Sequence, residues 1–300
     1  MKIIITGSLG NISKPLTEKL VHNGHQVTVI STRPERQAEI ENIGAQAAIG
    51  SMEDVDFLTA TFATADAVYC MESLAPNAFF DKDLDVSAAI IQICKNYQKA
   101  IQESGVKKVI HLSSIGAHTD KGVGLLAFHY QAEQIFNELD DDVSIKFMRP
   151  VGFYYNMLAF IPTIKAQGTI VSNYGGDNKE PWVSPLDIAS VIAQEFEKPF
   201  EGRTVRYIAS DEVAPNEVAA VLGQAVGKPD LQWTAIPDEA FLNRLVSFGM
   251  NPQTARGFTE MNAARLNGIL YEDYYKHRPE LGPHKLNDYA KEFAAIYHQQ

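Results

Sequence analysis

Lys2-Ile3-Ile4-Ile5-Thr6-Gly7-Ser8-Leu9-Gly10-Asn11-Ile12-Ser13 joins an apolar run to a glycine-bearing turn and the start of a helical pattern. Branched apolar side chains in an unbroken run suit a strand buried on both faces. A glycine turn directly behind such a strand, opening a helix, lets backbone approach a pyrophosphate closely. Gly7 is expected to make the tight turn and Gly10 to admit the phosphates. The helix behind them offers unpaired N–H groups and a partial positive charge. Ser13 stands where a third small residue packs helix against strand. Pro15 falls near the first helical turn, where a missing N–H costs little. Gly7, Ser8, Leu9, Gly10, Asn11 and Ile12 are therefore the expected phosphate-side contacts.

Outward from this stretch, short apolar runs alternate with helical periodicity. Strands are predicted at Lys2–Thr6, Gln26–Ile30, Ala45–Ile49, Ala67–Cys70, Val106–Leu112 and Val143–Met148. Helices are predicted between them at Asn11–Asn23, Pro34–Ile43, Asp54–Phe62, Asp83–Glu103 and Leu125–Leu139. That alternation predicts a parallel sheet with right-handed crossovers, a doubly wound Rossmann-type α/β fold. After Arg149-Pro150 the rhythm breaks. Aromatic residues cluster at 153–160, and a polar turn follows at Tyr174-Gly175-Gly176-Asp177. A helix is predicted at Leu186–Phe196 and a strand at Val205–Ile208, with mostly helical pattern from Asn216 onward. Residues 1–152 are expected to form the dinucleotide-binding domain. Residues 153–300 are expected to form a smaller, mostly helical substrate-side lobe, with some segments returning to the main sheet.

The 300 residues are 45% hydrophobic and 21% charged, the composition of a globular chain with a sizeable core. A net charge of −11 opposes nucleic-acid binding, which depends on basic surface neutralising phosphates. Nothing approaches the ~18 apolar residues of a membrane span, and Ile3-Ile4-Ile5 is too short for a signal-peptide core. A cytoplasmic protein is expected. Cys70 and Cys94 lack metal or redox-pair spacing and sit in apolar stretches, so buried reduced thiols are expected. The histidines are scattered and no metal site is expected. Ser113-Ser114 lacks the Gly-x-Ser-x-Gly frame of a nucleophilic serine. Asp140-Asp141-Asp142 suits a solvated turn before the sixth strand.

The second strand selects the cofactor. A site for NAD places an acid about 20 residues beyond the glycines, bonded to the ribose 2′-hydroxyl. Here the strand ends Ile30-Ser31-Thr32-Arg33 with no acid at its tip. Hydroxyls and a guanidinium suit a 2′-phosphate instead, which arginine can clamp with two hydrogen bonds. NADP(H) is expected, with Thr32 and Arg33 in contact. The alternative is that Arg33 is a solvated loop charge paired with Glu35.

These motifs resemble those of the NmrA-like family, within the atypical short-chain dehydrogenase/reductase proteins. Ser113-Ser114-Ile115-Gly116 and Arg149-Pro150-Val151-Gly152-Phe153 with Asn156 carry the resemblance further. So do Pro181-Trp182-Val183-Ser184 with Asp187-Ile188-Ala189, and Asn216-Glu217-Val218-Ala219. Related members include bacterial quinone reductases, plant phenylpropanoid reductases and NADPH-sensing regulators. The resemblance implies a cofactor across the C-terminal ends of the strands. Met71 and Glu72, Ser113 and Ser114, and Val151, Gly152 and Phe153 would border it.

Many members of the larger superfamily use a tyrosine and a lysine four residues later as proton donor and its activator. Aligning Ala132-Glu133 with their helix puts Ala127 at the tyrosine position and Gln131 at the lysine position, so the dyad is absent. Gln131 could still bond a ribose hydroxyl. His118, His129 and Tyr130 are the remaining candidate proton donors, although packing roles fit both imidazoles as well. Tyr154, Tyr155 and Asn156 are expected to shape a substrate pocket. Three functions compete: an NADPH-dependent reductase of quinone- or enone-like small molecules, an NADP(H) sensor with a regulatory protein partner, and a nucleotide-sugar epimerase. The last normally requires the missing tyrosine and lysine.

Overall fold

β1 (Lys2–Ile5) sits in the middle of the sheet because all but its first residue are buried. In this computed structural model, which describes residues 1–299, α1 (Ser13–His22) leads from β1 to β2 (Gln26–Ser31). The chain continues through α2 (Gln37–Asn42), β3 (Gln46–Ile49), α3 (Val55–Phe62) and β4 (Ala67–Cys70). Next come α4 (Val86–Ser104), β5 (Lys108–Leu112), α5 (Ala127–Asn137) and β6 (Ser144–Pro150). All six expected strands are present and parallel. A seventh, β10 (Arg203–Ile208), lies parallel to β6, so the sheet order is β10-β6-β5-β4-β1-β2-β3. The order reverses between β1 and β4, which opens a crevice at their carboxyl ends.

Helices cover both faces. Leu16 and Leu20 of α1, Ile40 of α2, and Ile188, Ile192 and Phe196 of α7 (Pro185–Phe196) share one core. Leu58 and Phe62 of α3, Ile93 and Tyr97 of α4, and Phe136 of α5 share the other. Local chemistry shifts some boundaries from those expected. α4 begins at Val86 because the Asp85 carboxylate accepts the N–H of Ala88 at 2.9 Å. A 3₁₀ turn at Pro34–Arg36 precedes α2, and another at Gly124–Leu126 precedes α5. Cys70 and Cys94 are buried free thiols.

The second lobe adds small sheets to its helices. β7 (Gly152–Phe153) and β11 (Asp211–Val213) flank β9 (Glu180–Val183), and β8 (Thr169–Ser172) pairs with β12 (Gln232–Ala235). Its helices are α6 (Ile161–Gln167), α8 (Pro215–Ala225), α9 (Asp238–Ser247), α10 (Pro252–Leu266), α11 (Glu272–Lys276) and α12 (Leu286–Gln299). Aromatic rings dominate its core: Tyr154 stacks on Trp182 at 6.4 Å and on Tyr289 at 5.2 Å between centroids. Among the described residues no helix is long and apolar enough to cross a membrane.

Candidate cofactor and acceptor site

The glycine turn leaves β1 at the switch point. Gly7 has φ +84° and Ser8 φ +54°, two consecutive left-handed residues. Side chains hold this costly conformation in place. The N–H of Ser8 donates to the carbonyl of Ile30 at 3.1 Å, and its hydroxyl donates to that of Ser31 at 2.9 Å. Ser31 also accepts the N–H of Arg33 at 3.2 Å. One buried hydroxyl thus links the turn to the Thr32-Arg33 segment. On the other side, the Thr6 hydroxyl accepts the N–H of Met71 at 2.8 Å and donates to its carbonyl at 3.2 Å. That exchange ties the tip of β1 to the tip of β4.

Whether this turn fits a dinucleotide is decided by what surrounds it. No side chain caps α1, and its first turn carries no acid. Gly10 and Asn11 are exposed, while the side chains of Leu9 and Ile12 turn into the core, leaving backbone at the surface. A Cβ on Gly10 would stand 3.3 Å from the carbonyl of Gly7, a tighter approach than an ordinary contact. An uncapped helix start behind an exposed backbone turn suits an anion. Thr32 and Arg33 are exposed at the tip of β2, and the Arg33 guanidinium has no ion pair among the described residues, Glu35 included. The residues present fit a phosphorylated dinucleotide.

At β4 and β5 the side chains turn inward. Glu72 points its carboxylate into the protein, where Oε1 lies 3.0 Å from Nε2 of His111. Burial alone would raise its carboxyl, yet the charge and hydrogen bond of His111 hold it below its usual range. His111 was the legible signal for this pair, a lone polar residue in an apolar strand. Ser113 is buried and donates to Oε1 of Glu133 at 2.5 Å, whereas Ser114 is half-buried. Glu133 is also gripped by Arg149, whose Nη2 and Nε lie 2.6 and 2.9 Å from its two oxygens.

That grip sets the rotation of α5, and it differs from the sequence alignment. Phe128, Ala132, Glu133 and Phe136 form the buried face, while Gln131 is exposed on the opposite side. The residue one turn before Glu133 on the inner face is His129, followed by Leu125 a turn earlier. Ala127 and Tyr130 lie off that face. Burial pushes the His129 imidazole down to about 3, and its Nδ1 has no partner. His118 is half-buried near Asp273 and Arg149, and burial lowers it too.

At β6, Val151 is buried, and Gly152 and Phe153 are half-buried. Tyr154 is fully buried inside the second lobe between Trp182 and Tyr289, so it packs that lobe and lines no open pocket. Tyr155 is half-buried against Phe153, with ring centroids 5.2 Å apart, and Asn156 is exposed. Phe153, Tyr155 and Asn156 therefore remain at the carboxyl edge. Among the described residues no group of His, Cys, Asp and Glu could hold a metal ion.

A seven-stranded parallel sheet with a phosphate-type turn at its switch point, and a smaller lobe beyond β6, defines a Rossmann-type nucleotide-binding protein. The chain belongs to the NmrA-like family, whose model matches residues 1–277. It is similar to an NAD(P)H azoreductase of Xenophilus azovorans, 24% identical over 262 residues, 87% of this chain and 86% of that protein. The structure of an NADPH-dependent quinone oxidoreductase of Escherichia coli, complexed with NADPH, superposes with a TM-score of 0.80 at 19% identity. It covers 97% of this chain and 99% of that one. A nucleoside-diphosphate-sugar epimerase of Staphylococcus aureus superposes at 0.77 and 16% identity, covering 97% and 100%. Reductase and epimerase share this fold, so the site has to choose the chemistry.

Proposed function

We propose that this protein is an NADP(H)-dependent reductase that passes hydride to a planar, quinone- or enone-like small molecule. The carrying observation is a phosphate-type turn paired with a buried face of α5 that holds neither phenol nor lysine. Bound NADPH would supply the hydride. The backbone of Gly7 to Ile12 would hold the pyrophosphate, and Thr32 and Arg33 the 2′-phosphate. Residues 1–152 would carry the cofactor, with Phe153, Tyr155 and Asn156 orienting the acceptor from the second lobe's side. Positioning alone can supply much of a barrier reduction. A quinone needs little more, because its reduced oxygen is a stabilised phenolate that water protonates. Ketones and sugars lack that stabilisation, which argues against the epimerase.

A second reading draws on the same missing acid: a protein that binds NADP(H) without turnover and changes a regulatory partner with occupancy. Loss of nicotinamide absorbance with a quinone panel separates the two. Tight NADPH binding with no turnover of any acceptor would favour the sensor.

A further inference from the structure

Arg265, at the end of α10, is held on three sides beside the carboxyl end of β6. Its Nη1 donates to Oε2 of Glu180 at 3.1 Å and to the Tyr271 hydroxyl at 3.3 Å. Its guanidinium carbon lies 5.0 Å from the ring centroid of Tyr174 and 5.2 Å from that of Trp182. Only 10% of the side chain is exposed. Among the described residues the remaining donors are unused: Nε is buried without a partner, and Nη2 makes no hydrogen bond. A Cβ on Gly152 would stand 3.3 Å from that Nη2 and 3.4 Å from the Trp182 ring. A side chain at 152 would thus crowd this edge of the guanidinium, which lies past the carboxyl end of β6, the end of the sheet where ligands of such folds bind.

The free donors of Arg265 and Trp182 call for an accepting atom, while the free oxygen of Glu180 calls for a donor. Glu180 answers one edge of Arg265 and also accepts the Tyr271 hydroxyl at 2.7 Å, leaving its Oε1 buried and unpartnered. The Nε1–H of Trp182 is buried without a partner as well. An arginine so confined is a fixed donor that stays charged and gives up no proton. Such a group serves a reaction that generates an oxyanion, and it is worth most where water is excluded.

Resting on the reductase reading above, we propose that Arg265 is the oxyanion donor of this site, its Nη2 receiving an acceptor oxygen past Gly152. Reduction of a quinone by hydride moves two electrons into the ring and leaves one oxygen as a phenolate. The nicotinamide is oxidised in the same step, and water supplies the proton that completes the hydroquinone. Arg265 stabilises the phenolate and transfers no proton, which fits a site without an acid on α5.

The test uses 4-nitrophenolate, whose absorbance reports its ionisation, titrated into the full chain saturated with NADP⁺ so that nothing turns over. Wild type is expected to bind it as phenolate and to ionise it at lower pH than in free solution. Arg265→Gln combined with Glu180→Gln keeps the buried pair neutral and should weaken phenolate binding about tenfold or more, the range of a lost charged hydrogen bond. NADP⁺ affinity should be unchanged. Gly152→Ala retains both charges and narrows the approach, and it should shift binding the same way. If the double variant does not fold, Gly152→Ala and Arg265→Lys decide. Equal phenolate binding by wild type and folded variants would overturn the assignment. Quinone turnover alongside that equality would leave the reductase reading standing. Arg265-dependent phenolate binding without any quinone turnover would overturn the reductase reading alone.

Discussion

Gly7 and Met71 meet across a space that only glycine leaves free: a Cβ at residue 7 would overlap the Sδ of Met71. It would also stand 2.9 Å from the Oγ of Ser13, at the start of α1. Residue 7 therefore serves the turn, the packing of β4 and the entry to α1 together, at φ +84°. Gly7→Ala combines left-handed strain with overpacking, and it is expected to cost about 2–4 kcal/mol. Urea unfolding measures the loss, and NADPH titration should show weakened binding in the fraction that folds. A change below about 0.5 kcal/mol, the scale of an inert surface substitution, would refute the contact.

On the proposed function, Arg33 would carry the cofactor preference. Its guanidinium is exposed and has no ion pair among the described residues, beside Thr32 and two residues beyond the buried Ser31 hydroxyl. NADPH should bind more tightly than NADH. Arg33→Ala should weaken NADPH about tenfold or more, as expected for one charged hydrogen-bonded contact, and leave NADH unchanged. Fluorescence titration of both nucleotides at fixed ionic strength is the measurement. Equal wild-type affinities would remove the 2′-phosphate argument.

The parallel sheet was legible because each strand is a short apolar run between helical patterns, and Val205–Ile208 already read as a strand. The glycine turn was legible because its requirement is local: φ values and small side chains within a few residues. The rotation of α5 was not. A one-residue change of register turns a helix by ~100°, and here the register is fixed by Arg149 and Ser113 gripping Glu133, partners remote in sequence. Tyr154 was misplaced for the same reason. An aromatic run reads as a pocket or a core alike until Trp182 and Tyr289 are seen packing on one member.

The pH dependence of stability carries the mark of His129. Burial lowers its imidazole to about 3 from an ordinary 6.5. Between those values the unfolded chain takes up a proton that the folded chain refuses, so stability falls as pH drops through that window. The slope for one such group is at most about 1.4 kcal/mol per pH unit. Glu72, held below its ordinary 4.5, acts in a lower window, stabilising above that value and losing its contribution as pH falls through the folded one. His129→Gln should therefore flatten the profile from 6.5 down to about 3, most cleanly between 6.5 and 4.5, where Glu72 does not contribute. Urea midpoints of both proteins across that range test it. Parallel curves would mean that His129 is protonated in the folded state.

The acceptor panel bears most directly on mechanism. A positioned general acid contributes ~10²–10⁴-fold, and the buried face of α5 offers none in the usual place. NADPH should therefore be consumed with quinones and only very slowly with simple ketones or sugars. Grafting the superfamily pair by Ala127→Tyr with Gln131→Lys tests the register as well as the chemistry. Gln131 is exposed and Ala127 lies off the buried face, so a lysine at 131 is carried away from the sheet. The graft should leave the quinone rate and the ketone rate where they were. Ketone reduction appearing in the graft would mean that α5 turns its other face to the cofactor. Brisk ketone turnover by wild type would mean that an acid is present, and His118, His129 and Tyr130 are the side chains to replace first. Of these, His129 is the one already on the inner face, its unpartnered Nδ1 buried and its imidazole neutral at working pH. A neutral imidazole has no proton to spare at Nδ1 unless that tautomer is occupied. Loss of ketone activity in His129→Gln with an unchanged NADPH affinity would then identify it as the donor.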